Sequence, residues 1–399
     1  MKWLLANGNL VLRDSILENT NLVINENKIE AIEKDSSMTD FNEIIDVKGC
    51  YVLPGFIDLH CHGGYGADVM DASLEAIGTI SRFHAEGGTA YFLTTTASDS
   101  LENLQKVLQI LRTNKNVIRG AKTLGAHLEG PYFAQKKHGC HLPQFVRTPS
   151  ESETSLLLEY KDVIRSITIA PEIPGALSLI KRFSENGIVV SLGHTECSYD
   201  EALKAVEMGA SHVTHLYCAM SGIIKNGVER KGGLIETALL EDRLSAEIIA
   251  DGIHVPSELI RLAVKAKGMD KICVVTDAMR GAGMPEGIYT FGSMRGQEAV
   301  VKAKMAVVKE GTGLASSVFK MNEMFCHMYN NLGYSYTELA SMFSYNPACV
   351  LSVQEKIGSI EQGKMASFTI LNRDHEVEAT IVEGKPVYLR KAAFNKSEK

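Results

Sequence analysis

Five histidines and three carboxylates in this chain stand where apolar runs stop. His60 and His62 close the run that begins at Leu53. Glu129 closes Ala126-His127-Leu128, and His194 follows Val189 to Gly193. His215 follows Val213-Thr214, and Asp277 follows Val274-Val275-Thr276. Glu172 and His254 end two further runs, and Thr94-Thr95-Thr96 ends another. Imidazole and carboxylate are the donors of a divalent ion, and three of them with one open position make a catalytic site. Glu129, His194 and His215 meet that minimum. His60 and His62 lie one residue apart, so on a strand they project from the same face. They would add a second site, with Glu129 bridging and Asp277 close to both. Such an ion acidifies water toward neutral pH, and Asp277 would take the water's proton and return it to a leaving amine. The donor set suits Zn, Fe, Mn, Co or Ni, one or two ions per chain.

Something must bring these strand ends together. Eight apolar runs, at 56–62, 89–95, 123–129, 166–172, 188–194, 212–215, 246–254 and 271–277, alternate with amphipathic stretches at 73–87, 101–113, 174–187, 199–209 and 256–268. That alternation predicts parallel βα units closed into a TIM-like (β/α)8 barrel, whose site is built on the C-terminal ends of the strands. Glycine-rich 280–313 reads as an excursion containing a hairpin. Helices follow near 314–332 and over 336–353, the second containing Pro347. Both chain ends read as short strands with turn residues, which predicts one small β-sandwich built from the two termini. The expected division is 1–52 and 355–399 for the sandwich and 53–354 for the barrel, with Asn395 to Lys399 disordered by composition.

Composition narrows the function class. With 399 residues, 45% hydrophobic and 22% charged, the chain reads as globular, and its net charge of −7 argues against nucleic-acid binding. No eighteen apolar residues run together, so no membrane span is expected. The eight cysteines lack Cys-x-x-Cys spacing and read as reduced thiols of a cytoplasmic protein. Gly63-Gly64-Tyr65-Gly66 lacks the context of a dinucleotide loop. His84 reads as a helix-surface residue, His138 and His212 as packing or solvent-facing, and His327 and His375 lie outside the barrel strands. Met321 to Met328 reads as a helix filling a gap.

The chain resembles the amidohydrolase superfamily of metal-dependent hydrolases. The resemblance rests on His60-Cys61-His62, the strand-end glutamate, the two strand-end histidines and the last-strand aspartate. Within it, His127-Leu128-Glu129-Gly130-Pro131-Tyr132, Ser191-Leu192-Gly193-His194-Thr195 and Ala250-Asp251-Gly252-Ile253-His254 are similar to the branch that deacetylates N-acetylglucosamine 6-phosphate. That resemblance implies metal ligation by Glu129, His194 and His215, with Asp277 as acid/base. It implies sugar contacts from His141 and His254, and places Cys218 and Ala219 in the substrate wall. Arg230 matches an arginine that reaches the phosphate in the neighbouring subunit, which implies a homodimer. Cys218 stands where that branch carries asparagine, and a thiol is a weaker donor than an amide. Two other activities fit the same donors: hydrolysis of a related N-acetyl amino-sugar phosphate, cyclic amide or N-acyl amino acid, and non-catalytic sensing of amino-sugar phosphates.

Overall fold

The computed structural model describes residues 2–34, 41–114, 120–311 and 313–390. The expected disordered stretch Asn395 to Lys399 lies outside them. Eight parallel strands form one sheet in the order Phe56–Cys61, Thr89–Thr96, Lys122–Glu129, Ile164–Ile169, Val189–Leu192, Ala210–Val213, Ser245–Ile249 and Ile272–Val275. Spatial order equals chain order, so each helix returns the chain to the next place in the ring, the arrangement of a TIM-like barrel. The strands read as continuous apolar runs because a parallel sheet is buried on both faces.

The ring closes without a regular ladder between its first and last strands. Thr276 donates to both oxygens of Asp58, through its N–H at 3.1 Å and its hydroxyl at 2.5 Å. The N–H of Asp277 donates to the His60 carbonyl at 2.8 Å. This seam sets the last-strand aspartate beside the first-strand histidines.

Caps fix the helices that follow the site strands. Ser73 caps Leu74–Glu86, Ser100 caps Leu101–Thr113, and Ser198 with Glu201 forms a capping box at Tyr199–Glu207. The excursion after the last strand is more than a hairpin. It is a three-stranded antiparallel sheet of Gly287–Thr290, Glu298–Lys302 and Met305–Val308. The helix expected from 314 begins only at Met321, because 314–320 is extended chain that passes Asp277. The segment 336–353 is helical from Tyr336 to Val350 with a π-turn at Ser341–Tyr345, just before Pro347. A proline has no N–H for the helix ladder, and the wider turn accommodates it.

Both termini build one β module. Lys2–Val11 pairs with Ile16–Asn25 on one side and, along its two halves, with Glu43–Asp46 and Tyr51–Pro54 on the other. Tyr51–Pro54 pairs in turn with Phe368–Leu371, which brings in the C-terminal strands Val377–Val382 and Lys385–Leu389. The strands form one branched sheet, and Trp3, Leu22, Ile24, Phe368 and Ile381 share one apolar core. The chain leaves for the barrel at Gly55, where a Cβ would meet that of Ala90 at 2.4 Å.

Candidate metal centre and active site

Glu129 is the hub. Its Oε1 lies 3.1 Å from Nε2 of both His194 and His215 and 3.3 Å from Nε2 of His60. Its Oε2 lies 3.0 Å from Nε2 of His62 and of His141. The paired histidines nearly touch, with Nε2 atoms 3.2 Å apart for His60 and His62 and 3.0 Å apart for His194 and His215. Oδ1 of Asp277 sits 3.3 Å from His62 and 3.5 Å from His60. All of these side chains are buried.

The hydrogen bonds show whether a cation fits. Nδ1 of His194 faces the Lys137 carbonyl at 2.6 Å, and a carbonyl can only accept. Burial pulls the proton affinity of His194 down, so the ring is neutral and its Nε2 is a bare lone pair. That lone pair points at a carboxylate oxygen and at another imidazole nitrogen. Against the carboxylate the contact sets two acceptors 3.1 Å apart, which a cation between them relieves, so the residues fit a metal ion. Burial works against charge on His62 too, but Asp277 and Glu129 outweigh it and lift the group to about 9, a proton standing in for a cation. Glu129 is held well below the usual carboxylate range; burial works against this, and the charge on His60 and the hydrogen bond from His141 override it.

His141 differs from the other four. Ser98 N–H donates to its Nδ1 at 3.0 Å, so its Nε2 carries the proton and is a donor rather than a ligand. His254 is set by Asp251, which accepts from its Nδ1 at 2.7 Å and from two backbone N–H groups. The expected strand 246–254 therefore stops at Ile249, and His254 reaches the site from a turn wound on Asp251. Non-glycine residues with positive φ cluster here: His194 at 51°, His215 at 30°, Ala219 at 48° and Asp277 at 48°. Backbone strain of this kind concentrates at working sites.

A cavity of about 310 Å³ opens above the cluster. Its walls include Glu129, His141, His194, His215, Cys218, Ala219, His254, Asp277 and Ser316, with Lys136 and Lys137 as the lysines. Burial pushes the Cys218 thiol up to about 12, so it faces the cavity as a neutral group. Arg230 is not among the described residues of that wall. It lies on an exposed two-stranded hairpin, Ile224–Asn226 with Glu229–Lys231.

Other expectations change. Glu172 lies past its strand, outside the cluster, where it accepts from Thr195 Oγ1 and from Glu196 N–H at 2.6 Å and so holds the loop after His194. His84 is buried rather than on the helix surface, because the Leu74–Glu86 helix turns it inward against Phe83 and Phe92. It forms a second cluster with Asp58 and Cys61, whose Asp58 oxygens are already taken by Thr276 and His60 N–H. His212 is buried beside Glu247. The sequence alone singles out none of Glu247, Phe133 and Phe291. Phe133 stacks on His194 at 4.1 Å, and Phe291 packs against His62 at 4.8 Å and His141 at 5.2 Å. The one signal available for Glu247 was an acid inside the otherwise apolar Ala246 to Ile249, which burial makes costly without a partner.

The model of the amidohydrolase family matches residues 51–387. The chain belongs to the amidohydrolase family. Like other amidohydrolases it is a metal-dependent hydrolase. An N-acetylglucosamine-6-phosphate deacetylase of Bacillus subtilis (strain 168) is 36% identical over 391 residues, covering 96% of each chain. An N-acetylgalactosamine-6-phosphate deacetylase of Escherichia coli O157:H7 is 32% identical, covering 84% of this chain and 87% of the other. The crystal structure of N-acetylglucosamine-6-phosphate deacetylase from Pasteurella multocida superposes with a TM-score of 0.90 at 32% identity, covering 97% of this chain and 99% of that one. In this amidohydrolase no described helix is long and apolar enough to cross a membrane.

Proposed function

We propose that this amidohydrolase hydrolyses the acetamide of N-acetylglucosamine 6-phosphate, giving glucosamine 6-phosphate and acetate. Its relatives carry that activity in their names over nearly the whole chain. The observation that carries the chemistry is the bare Nε2 of His194 facing Glu129 and His215, with the ionised Asp277 across the same cavity. Glu129, His194 and His215 would hold one divalent ion, and His60 and His62 together with Glu129 would hold a second. When bound, the ion supplies the Lewis acidity that makes water a nucleophile near neutral pH.

The protein's own groups do the rest. Asp277 is kept ionised; burial opposes this, and the charge on His60 and the hydrogen bond from His62 override it. It takes a proton from the attacking water as the new C–O bond forms at the acetyl carbon. His141 donates from Nε2 to the carbonyl oxygen as negative charge develops there. Asp277 then returns the proton to the amine nitrogen as the C–N bond breaks. Ser316 Oγ, 3.2 Å from Asp277 Oδ1, keeps that carboxylate oriented.

Phosphate recognition is drawn from Lys136 and Lys137 at the cavity and from Arg230 of a second copy, with His254 contacting the sugar. Lys136, its side chain 82% exposed, pairs only at 4.0 Å with Glu196, a surface contact it can exchange for a ligand. The Arg230 hairpin carries exposed Ile223 and Val228, apolar groups that a homodimer would cover. One observation favours a second reading. Cys218 in the cavity wall lacks the two-way hydrogen bonding of an amide, which leaves the sugar hydroxyls less strictly read and admits the galacto epimer.

The test is acetate release, with metal analysis, on a panel of both N-acetylhexosamine 6-phosphates and unphosphorylated N-acetylglucosamine. The expected order of kcat/KM puts N-acetylglucosamine 6-phosphate first and the unphosphorylated sugar last. Equal rates with and without phosphate would overturn the substrate assignment. A preference for the galacto epimer would select the second reading.

A further inference from the structure

The carboxylate of Glu247 lies in the barrel interior on strand Ser245–Ile249, buried beneath the metal cluster. Its Oε2 is 3.0 Å from Nδ1 of His60 and accepts the backbone N–H of His215 at 3.1 Å. Its Oε1 is approached by Nε2 of His212 at 3.4 Å, and Nδ1 of His212 is anchored by Ser245 Oγ at 2.7 Å. One carboxylate thus grips a histidine of each pair, His60 by its ring and His215 by its backbone. Its contacts with the two are unequal.

An ionised carboxylate only accepts, so once a cation takes the place of the Nε2 proton of His60 the remaining proton stays on Nδ1 and the Nε2 lone pair points into the cluster. His215 needs no such help to keep its place, since the backbone of its loop is held elsewhere too, with Leu216 N–H on the Glu247 carbonyl and Cys218 N–H on the His215 carbonyl. We propose that Glu247 is the positioning residue for the second metal ion: by fixing the His60 tautomer it makes the His60–His62–Glu129 site competent, while the Glu129–His194–His215 site holds its ion without it. Partners of this kind, behind a ligating histidine, are worth about 10–100-fold in metal affinity. The inference rests on the ligand set given above and reaches beyond it to a residue that touches neither ion nor substrate.

The full-length protein is stripped with a chelator and titrated with Zn²⁺ against a chromophoric competitor, and bound zinc is counted by elemental analysis. Wild type is expected to take two ions. Glu247→Ala is expected to keep the tighter one unchanged and to lose the second by about 10–100-fold in affinity. Glu247→Gln, whose amide oxygen still accepts from Nδ1, is expected to recover most of that loss. A merely structural role would weaken both ions together or neither. Equal affinity for two ions in wild type and Glu247→Ala overturns the proposal, as does simultaneous loss of both ions from a variant that is folded by circular dichroism. Nitrogen-15 NMR of protein carrying one zinc per chain, with the second site empty and the His60 ring neutral, reads the tautomer directly: the Nδ1 proton of His60 should move in Glu247→Ala, and a proton that stays overturns the proposal. If wild type binds only one ion yet the tautomer shifts on mutation, the two-ion ligand set has failed and the orienting role of Glu247 stands apart from it.

Discussion

Asp277 works under opposed pulls. Burial favours its neutral form, while the charge on His60 and the hydrogen bond from His62 hold it ionised. A group poised this way suits a proton shuttle, and its amide analogue cannot perform one. Asp277→Asn should therefore lower kcat by about 10²–10⁴ while metal content stays near that of wild type. Acetate release together with elemental analysis checks both halves, and turnover within threefold of wild type would remove the proton-transfer role. Strand-end residues were legible because their donor types are distinctive. Glu247, Phe133 and Phe291 were not, since an acid or a phenylalanine in a buried segment has many bland uses and only the fold shows what it touches.

At the scale of elements, the eight strands could be read from their apolar runs, but their ends were overrun where the loop is itself apolar. Ala250, Ile253 and Val255 extend the pattern of Ser245–Ile249, and only the Asp251 turn stops it. The helix Leu74–Glu86 shows the opposite failure, with a histidine on the buried side of an amphipathic stretch. Burial pulls His84 down to about 3, from 6.5 for the free group. The unfolded chain therefore binds a proton below pH 6.5 that the folded chain refuses until near pH 3, so the folded state loses stability as pH falls through that window. The loss is about 1.4 kcal/mol per pH unit, or roughly 2 kcal/mol by pH 5. His84→Leu should flatten that part of the acid limb in urea-unfolding midpoints taken from pH 7 to 5. An unchanged slope would mean that other groups set the acid limb.

For the whole molecule, the question is whether each site is complete within one chain. Arg230 sits on an exposed hairpin, away from its own cavity wall, and Val228 beside it is 93% exposed. A homodimer with exchanged arginines makes a specific prediction about mixed subunits. Arg230→Ala chains should show KM for the phosphorylated sugar raised about tenfold or more, as loss of a charged hydrogen bond implies. Asp277→Asn chains should be inactive. Mixed dimers of the two variants contain one site with both Asp277 and a partner's arginine, so co-expression should restore wild-type KM at a reduced kcat. Failure to restore it in a purified heterodimer would place the arginine's action elsewhere.

The sequence by itself determined the donor chemistry and the barrel. Ligand types and strand periodicity are local properties, written in residues that stand near one another in the chain. The tertiary structure decided what depends on distance between remote segments. Thr276 stitches to Asp58 and thereby seats Asp277 beside His60. Lys137 turns the lone pair of His194 toward Glu129 through a carbonyl 57 residues away. Ser98 makes His141 a donor rather than a ligand. Each is a hydrogen bond with a direction, and a direction exists only once the chain has brought both partners into one place.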